Sequence, residues 1–452
     1  VMMIPRPVYS ALLYIAAPFA MFYLSKRAKK QPEYSEHWDE RFGTAHYPPV
    51  TPGRTRIWIH AVSVGETRAT FSLVESILRK WPQVDVLYTH MTPTGREVSK
   101  QFGKKFGSRI SQVYLPYDTP AAMRKFIRQT QPSLCLLMET EVWPNLTYTA
   151  KQAGLPVVLA NARLSQQSLD KGKKVGSLIR DAMSRLTLTL AQSEEDAARL
   201  KEAGCREVRV LGNLKFDYEP NPVHVRTGRE IRKLSERKIL TFASSRDGEE
   251  ASMLSALKEA KANGRLKDTV FLLIPRHPQR FGEVLELIRK SGFTVEKRSD
   301  IRDWKKVLSL SEGPDVVLGD SMGEMAFYYA LSDVVLMGGS FGDYGSQSVI
   351  EPCAIGEAVI VGPSIYNFKY IIEKAREEGA ILSVQDLGQA LQRADELLSD
   401  SGKAASVGAA AAKFAQVQRG AAERTIAVID ELMAQKKDTN LNKFNAETME
   451  KK

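Results

Sequence analysis

The chain has 452 residues, of which 43% are hydrophobic and 26% are charged, and it carries a formal net charge of +11. At roughly 150 residues per domain, this length predicts two large domains of an ordinary globular protein. The three cysteines, Cys135, Cys205 and Cys353, are far apart in mostly apolar contexts, which excludes a readable disulfide framework or zinc-binding spacing. The positive charge favours an anionic partner such as nucleic acid, anionic lipid or a phosphorylated substrate.

An uncharged run near the amino end, Val8–Leu24, predicts membrane association. Its length is at the short end of the roughly 17–25 residues that a helix needs to cross a bilayer, and Pro18 interrupts it, so a short span and an in-plane anchor both fit. Basic residues follow the run at positions 26, 27, 29 and 30 and favour the cytoplasmic leaflet. A cleaved signal peptide and a buried core helix fit less well, so residues 1–30 are predicted to be an anchor.

Beyond the anchor, short apolar segments alternate with polar, helix-compatible stretches. The first series of predicted strands is TRIWIHA, VDVLYTH, ISQVYLP, LCLLME, PVVLANA, LTLTLAQ and VRVLG. The second is KILTFASS, TVFLLIPRH, FTVEKRS, VVLGD, VVLMGGS, AVIVGP and AILSV. This alternation predicts two parallel α/β domains with sheets buried on both faces.

The two series are separated by Asp217–Lys238, a charged, proline-containing segment typical of a linker. The predicted domains are therefore residues 31–216 and 239–435. A closing helix is expected over Ala404–Gln435, and the polar tail 436–452 is predicted to be disordered.

The first predicted strand ends in HAVSVGE, which places Glu66 where a strand gives way to a predicted helix over Thr67–Lys80. The carboxyl ends of strands in open α/β sheets bind ligands, so Glu66 is a candidate for chemistry. The alternative is a first-turn carboxylate that only stabilises its helix.

Several junctions in the second domain combine a strand end with small residues or glycines that suit phosphate binding. They are residues 243–250, 319–325 and 338–352, and Arg276 adds a fixed positive charge at another strand end. Together they indicate nucleotide binding. The chain lacks the GxGxxG and GxxxxGK[ST] fingerprints and any metal-ligand spacing, and the isolated histidines His60, His90 and His277 are predicted to be structural.

Nine motifs in order through nearly the whole chain resemble the Kdo transferase family, which adds 3-deoxy-D-manno-oct-2-ulosonic acid (Kdo) to the lipid A precursor. They are the anchor, ERFG (40–43), HAVSVGE (60–66), METEVWPN (138–145), NARLS (161–165), GNLKFD (212–217), PRHPQRF (275–281), GDSMGEM (319–325) and IEP (350–352). The resemblance implies a GT-B architecture in which two Rossmann-like domains face each other across a cleft. It also implies CMP-Kdo as donor, a tetraacylated, doubly phosphorylated disaccharide lipid as acceptor, and the cytoplasmic side of the inner membrane as location.

The resemblance also implies roles for individual residues. Glu66 corresponds to the general base, and Glu139 and Lys215 to stabilisers of the transition state. Residues implied to bind CMP are Pro275, Arg276, Met322, Gly323, Glu324, Ser348, Val349, Ile350 and Glu351. Ser348 departs from the family, which often has asparagine there, so a contact through that amide would be lost while backbone N–H contacts would survive.

In-line displacement with inversion is the expected reaction, with Arg276 and backbone N–H groups stabilising the departing phosphate, no metal and no cofactor. Basic residues expected to meet the lipid phosphates or the membrane are Lys26–Lys30, Lys100, Lys104, Lys105, Lys171, Lys173 and Lys174, although solvated charge explains most such clusters. The alternatives are a GT-B nucleotide-sugar epimerase, which would not carry an anchor, and a non-catalytic membrane-bound nucleotide-binding protein. The number of Kdo residues transferred cannot be read from the sequence.

Overall fold

The computed structural model describes residues 4–174 and 176–449. They form two compact units: one runs to Asp217 and resumes at Arg419, and the other spans Tyr218–Gln418. The strands are β1 (Thr55–His60), β2 (Val84–His90), β3 (Ile110–Tyr114), β4 (Leu134–Met138), β5 (Val157–Ala162), β6 (Leu188–Ala191), β7 (Val208–Val210), β8 (Lys238–Ser245), β9 (Thr269–Pro275), β10 (Val295–Lys297), β11 (Val316–Leu318), β12 (Val334–Met337), β13 (Ala358–Val361) and β14 (Ile381–Ser383).

Helices precede, separate and follow these strands. They are α1 (Arg6–Ala28), α2 (Trp38–Arg41), α3 (Val64–Ala69), α4 (Phe71–Lys80), α5 (Pro93–Gly103), α6 (Pro120–Thr130), α7 (Pro144–Gln152), α8 (Gln166–Lys174), α9 (Ser177–Ser184), α10 (Glu194–Ala203), α11 (Pro222–Lys233), α12 (Glu249–Ala262), α13 (Phe281–Lys290), α14 (Trp304–Val307), α15 (Met325–Leu331), α16 (Ile350–Ile355), α17 (Lys369–Glu377), α18 (Leu387–Ser399), α19 (Ser401–Gln418) and α20 (Ala421–Met449).

The amino-terminal unit contains a parallel sheet in the order β3-β2-β1-β4-β5-β6-β7. All seven strands predicted in the first series are confirmed. Most of their residues are buried because helices cover both faces of the sheet. The strand order reverses between β1 and β4, and in sheets of this kind ligands bind outside the carboxyl ends at that point.

The carboxyl-terminal unit contains a second parallel sheet in the order β10-β11-β9-β8-β12-β13-β14. The second series of predicted strands is confirmed as well. Apolar clusters lie on both faces of this sheet, and its order reverses between β8 and β12. The predicted pair of Rossmann-like α/β domains is therefore confirmed.

The predicted linker contains the helix α11, which packs on α15 and so belongs to the carboxyl-terminal unit. The close approach needs Gly228, because a Cβ there would lie 2.6 Å from the carbonyl oxygen of Phe327. The predicted helix over Thr67–Lys80 also differs, because the structure divides it between α3 and α4.

The carboxyl end departs most from the predicted boundaries. Residues 419–435 were assigned to the second domain, but they belong to the amino-terminal unit because Ile426 and Ile429 join an apolar cluster with Leu73 and Ile77 of α4. The single closing helix is two helices, separated at Gly420. The tail predicted to be disordered continues α20 as far as Met449, and residues 450–452 lie outside the described part of the chain.

The predicted anchor forms α1. Within the described ranges, it is the one helix long and apolar enough to cross a membrane, as judged by length and composition. Pro18 lies inside it without ending it.

Candidate functional site

The connection between β1 and α3 fixes the backbone around Glu66. Ser63 caps the helix, and its Oγ accepts a hydrogen bond from the Glu66 amide at 3.3 Å. In return, Glu66 Oε2 accepts hydrogen bonds from the amides of Val62 (2.6 Å) and Ser63 (3.4 Å), which completes a capping box. Glu66 thus holds the first helical turn, while its Oε1 accepts no hydrogen bond from the residues that the structure describes.

The Glu66 carboxyl group has an unusually high pKa. Burial raises its pKa to about 7, the negative charges of Glu139 and Glu141 act in the same direction, and the amides of Val62 and Ser63 oppose them. β1 and β4 are neighbours, so the three carboxylates meet at the point where the strand order reverses. A carboxylate with a pKa near physiological pH is suited to accept a proton from a hydroxyl group.

Glu139 directly follows β4 and is the centre of an ion-pair cluster. Its side chain is 3% exposed; its Oε2 accepts a hydrogen bond from Arg163 Nε at 2.9 Å, and its Oε1 lies 2.8 Å from Lys215 Nζ. Burial would raise the pKa of Glu139, but Lys215 and Arg163 outweigh it and lower the pKa. Glu139 and Lys215, which were predicted separately, are therefore in direct contact, with Glu139 ionised.

The backbone at this edge is also unusual. Glu139 has φ +58° and Asn161, the next-to-last residue of β5, has φ +50°, both in the left-handed region that non-glycine residues rarely adopt. Asn161 Oδ1 accepts a hydrogen bond from the Leu214 amide at 2.8 Å, which positions the segment that carries Lys215. Such conformations cluster at functional sites.

Glu141 adds a third carboxylate. Its Oε2 accepts a hydrogen bond from Trp143 Nε1 at 3.1 Å and lies 3.9 Å from Nε2 of His60. Burial, with a smaller effect of His90, lowers the pKa of His60 to about 3, so this imidazole is neutral at physiological pH. His60 also hydrogen-bonds Thr89 Oγ1 at 2.8 Å, in keeping with its predicted structural role.

Arg163 and Glu141 were not predicted as site residues. Both lie inside family-like motifs, NARLS and METEVWPN, but nothing in the local pattern shows that Arg163 reaches the carboxylate after β4. The contact depends on β5 lying beside β4 in the sheet.

The nine residues predicted to bind CMP all lie at strand ends in the carboxyl-terminal unit. Pro275 ends β9 and Arg276 follows it; Met322, Gly323 and Glu324 follow β11; and Ser348–Glu351 follow β12, where α16 begins. Since β11, β9, β8 and β12 are successive neighbours, these segments share one edge of the sheet.

One predicted phosphate-binding loop is already occupied by a side chain. The buried carboxylate of Glu249, from the segment after β8, accepts hydrogen bonds from the amides of Gly339 (2.7 Å), Phe341 (3.1 Å) and Gly342 (3.1 Å). Three amides of the glycine-rich segment 338–352 are therefore not available to an anion, which corrects that part of the prediction.

Several arginine side chains nevertheless lie beside the ends of β8 and β9. Burial lowers the pKa of His277, and the charges of Arg246, Arg276 and Arg280 lower it further, so three guanidinium groups are near enough to act on this histidine. Arg280 is bound to Glu250 at 2.6 Å. Guanidinium groups here suit a phosphate ligand.

Two carboxylates flank this edge. Glu324 Oε1 accepts a hydrogen bond from Arg298 Nη2 at 3.0 Å. Glu351 Oε1 accepts one from the Tyr218 hydroxyl at 2.5 Å, and burial raises the pKa of Glu351 against the opposing effect of that bond. Ser348 Oγ only accepts a bond from the Ile350 amide at 3.4 Å.

Two of the lysines predicted to meet a phosphorylated lipid already have anionic partners: Lys105 pairs with Glu75, and Lys173 pairs with Glu202. A search of residues 4–174 and 176–449 finds no group of three His, Cys, Asp or Glu side chains arranged to hold a metal ion.

Known proteins resemble this chain in sequence and in fold. The family profile described as "3-Deoxy-D-manno-octulosonic-acid transferase (kdotransferase)" matches residues 36–218. The chain is 38% identical to a 3-deoxy-D-manno-octulosonic acid transferase of Bordetella pertussis, over 94% of this chain and 99% of that protein. It is 33% identical to one of Haemophilus influenzae, over 92% and 96% of the two chains.

Among solved structures, the UDP-GlcNAc 2-epimerase of Neisseria meningitidis matches with a TM-score of 0.53 over 84% of this chain and 100% of its own. At 14% identity this similarity concerns the fold alone, and it supports the predicted GT-B class.

Proposed function

This chain belongs to the 3-deoxy-D-manno-octulosonic acid transferase family of glycosyltransferases, and we propose that it moves Kdo from CMP-Kdo to a tetraacylated, doubly phosphorylated lipid A precursor during lipopolysaccharide core synthesis. The observation that carries the proposal is Glu66, a carboxyl group with a pKa of about 7 and an unbonded Oε1, beside the Glu139 ion-pair cluster.

Glu66 acts as the general base. The hydroxyl group of the acceptor gives its proton to Oε1, its oxygen bonds to the anomeric carbon of Kdo, and the bond from that carbon to the CMP phosphate breaks with its electron pair leaving on the phosphate oxygen. Attack opposite the leaving group inverts the anomeric carbon. The amides of Val62 and Ser63 fix the carboxylate through Oε2 and leave Oε1 for the proton.

Lys215 supplies positive charge to the carboxylate of Kdo or to the developing charge of the reaction. Glu139 is a positioning residue, because its carboxylate oxygens hold the Lys215 and Arg163 side chains within 3 Å. Its own negative charge is neutralised by these two partners.

The nine residues at the edge of the second sheet bind CMP. Arg276 and its neighbouring guanidinium groups stabilise the phosphate as its charge grows, and Glu351 Oε2 accepts hydrogen bonds from ribose hydroxyls. Apart from the donor itself, the proposed reaction uses no cofactor and no metal.

The acceptor reaches the enzyme at the cytoplasmic face of the inner membrane. The apolar helix α1 and the basic residues that follow it support this location. Lys171 and Lys174 are proposed to meet lipid phosphates, together with Lys173 when it exchanges Glu202 for them.

The direct test is incubation of the purified protein with CMP-Kdo and the tetraacylated lipid precursor, followed by mass spectrometry of the lipid. We expect the product mass to increase by one or more Kdo residues, which also counts the residues transferred. An unchanged lipid together with interconversion of a nucleotide sugar would instead identify an epimerase.

The variant Glu66→Gln tests the base. We expect turnover to fall about 100- to 10,000-fold, because an amide cannot accept the proton, while CMP binding is retained. The glutamine oxygen can still accept the Val62 amide, so the helix cap survives. Unaltered turnover of the Glu66→Gln protein would rule out this role. If the wild-type protein also shows no turnover although CMP is bound, the chain is a non-catalytic binding protein.

A further inference from the structure

An apolar cavity of about 670 Å³ lies between α1 and the rest of the amino-terminal unit. On the α1 side it is lined by Leu13, Ala17 and Ala20, and on the opposite side by Trp143 and Ile179 among others. Its volume is within the range of about 300–1,000 Å³ that is typical of small-ligand sites. The small alanines on the inner side of α1 are what leave the space open.

Helix α1 is fastened to the unit near both ends. Arg6 Nη1 donates to Asn145 Oδ1 at 3.0 Å, and the hydroxyl of Tyr9 donates to Asp118 Oδ2 at 3.0 Å. At the other end, Leu24 is 1% exposed, and Arg27 Nη2 donates to the hydroxyl of Tyr34 at 2.9 Å. The helix therefore lies along the unit over its length of about 34 Å rather than projecting from it.

The opposite side of α1 carries an exposed apolar stripe. Its members recur at intervals of three, four or seven residues, as expected for one side of a helix, and are between 48% and 73% exposed: Val8, Ile15, Phe19 and Phe22. An apolar helix that is fastened at both ends to a globular unit, with such a stripe facing outward, is suited to lie in the interfacial layer of a bilayer. The cavity then opens at the depth of the lipid chains.

The cavity also adjoins the proposed catalytic edge. Trp143 lines it and donates a hydrogen bond to Glu141, whose charge contributes to the raised pKa of Glu66. A lipid whose sugar hydroxyl is beside Glu66 thus has an apolar compartment within the same unit for part of its hydrocarbon.

We infer that the cavity beneath α1 binds one acyl chain of the lipid acceptor. This inference rests on the proposed function, and it identifies the acyl chain, besides the sugar and its phosphates, as a part of the acceptor that the enzyme recognises. It assigns α1 a share in substrate binding, in addition to membrane attachment.

The substitution Ala17→Phe tests the inference by filling the cavity from the inner side of α1. Its matched control is Ala11→Phe, the same change at an exposed position of the same helix. We expect Ala17→Phe to raise KM for the tetraacylated acceptor about tenfold, the loss expected when about two methylene groups can no longer be buried. KM for the same phosphorylated disaccharide without acyl chains should not change, and Ala11→Phe should alter neither value.

An equal effect of Ala17→Phe on both acceptors, or on neither, would overturn the inference. Absence of transfer by the wild-type enzyme to either acceptor would instead contradict the proposed function.

A second measurement does not depend on the variant. A tetraacylated acceptor with a photoreactive diazirine at the end of one acyl chain is irradiated with the wild-type protein in phosphatidylglycerol vesicles, and the adducts are located by mass spectrometry. We expect them on the inner side of α1 and on the segment around Trp143. Two results would show that ordinary membrane lipid is the occupant of the cavity. One is that the adducts are confined to the outward stripe. The other is that a diazirine phospholipid labels the inner side of α1 equally and is not displaced by the acceptor.

Discussion

At the scale of single residues, the two carboxylate oxygens of Glu66 have different surroundings. Oε2 accepts hydrogen bonds from backbone amides and Oε1 accepts none from any described residue, so the carboxylate is fixed through one oxygen only. The helix cap and the proposed role as general base are compatible, because one side chain can do both.

The raised pKa of Glu66 predicts the pH dependence of turnover. The base is active when deprotonated, so kcat/KM should fall about tenfold per pH unit below pH 7 and level off above it. A pH profile of the wild-type enzyme measures this, with the residual rate of Glu66→Gln as the control that should not follow the same curve. A wild-type profile that stays flat between pH 5 and 8 would contradict the assignment.

The Glu139 cluster predicts a change in stability as well as in rate. Glu139→Gln removes the charge that Arg163 and Lys215 share, and we expect a loss of about 1–3 kcal/mol in the free energy of unfolding because bonds to charged groups are lost. The partial exposure of both cations keeps the loss in this range. Urea unfolding measures it, and Glu97→Gln on the surface should stay within about 0.5 kcal/mol of the wild type.

At the scale of elements, α20 closes the amino-terminal unit from a distant part of the chain. The carboxylate of Asp217 accepts hydrogen bonds from the amides of Gly420 and Ala422, each at 2.6 Å, and so caps the start of this helix. The cap joins the two segments of the chain that make up the unit.

Asp217→Ala should therefore destabilise the amino-terminal unit by about 0.5–2 kcal/mol, since two amides at a helix start lose their acceptor. Tryptophan fluorescence during urea unfolding reports mainly on this unit, because four of the five tryptophans precede residue 217. Asp217→Asn keeps one acceptor oxygen and should lose less. Equal losses for the two variants would show that the charge, and not the hydrogen bonding, is what matters.

Most of the strands were predictable because they are apolar runs buried on both faces, a property that the local sequence carries, although β7 and β10 are only partly buried. The role of Glu249 was not predictable, because its carboxylate accepts amides about ninety positions further along the chain. The glycines at 338–342 indicate only that another group can come close to the backbone. Here that group is the Glu249 carboxylate and not the expected phosphate.

In the candidate site, too, some residues could be predicted from the sequence and others depend on contacts between distant segments. Glu66 was predicted from the junction between a strand and a helix in HAVSVGE, whereas Glu139 was predicted only from the resemblance of METE to the family motif. Arg163 was missed because its contact with Glu139 depends on which strands are neighbours, and strand order is a property of the folded chain. The predicted end of the second domain at residue 435 was also wrong. The apolar face of α20 is equally compatible with either unit, and its packing partner is likewise a property of the folded chain.

At the scale of the whole molecule, the two units differ in how they depend on the chain. The carboxyl-terminal unit is continuous from Tyr218 to Gln418 and has its own sheet and apolar clusters. The amino-terminal unit needs residues from both ends of the sequence.

A fragment of residues 218–418 should therefore fold alone, unfold cooperatively with a stability of about 5–15 kcal/mol, and bind CMP. Residues 4–217 alone should aggregate, because the apolar side of α4 has lost α20. Circular dichroism and isothermal titration with CMP measure the first expectation. A fragment 218–418 without a cooperative transition would show that this unit needs the rest of the protein.

The discontinuity of the amino-terminal unit has a consequence for biosynthesis. Its sheet leaves the ribosome first, but the helix that covers Leu73 and Ile77 follows only after the 201 residues from 218 to 418. At about 5–20 residues per second, that delay is about 10–40 s. Throughout this interval the nascent protein exposes the apolar side of α4, and we expect holding chaperones to bind it until translation has finished.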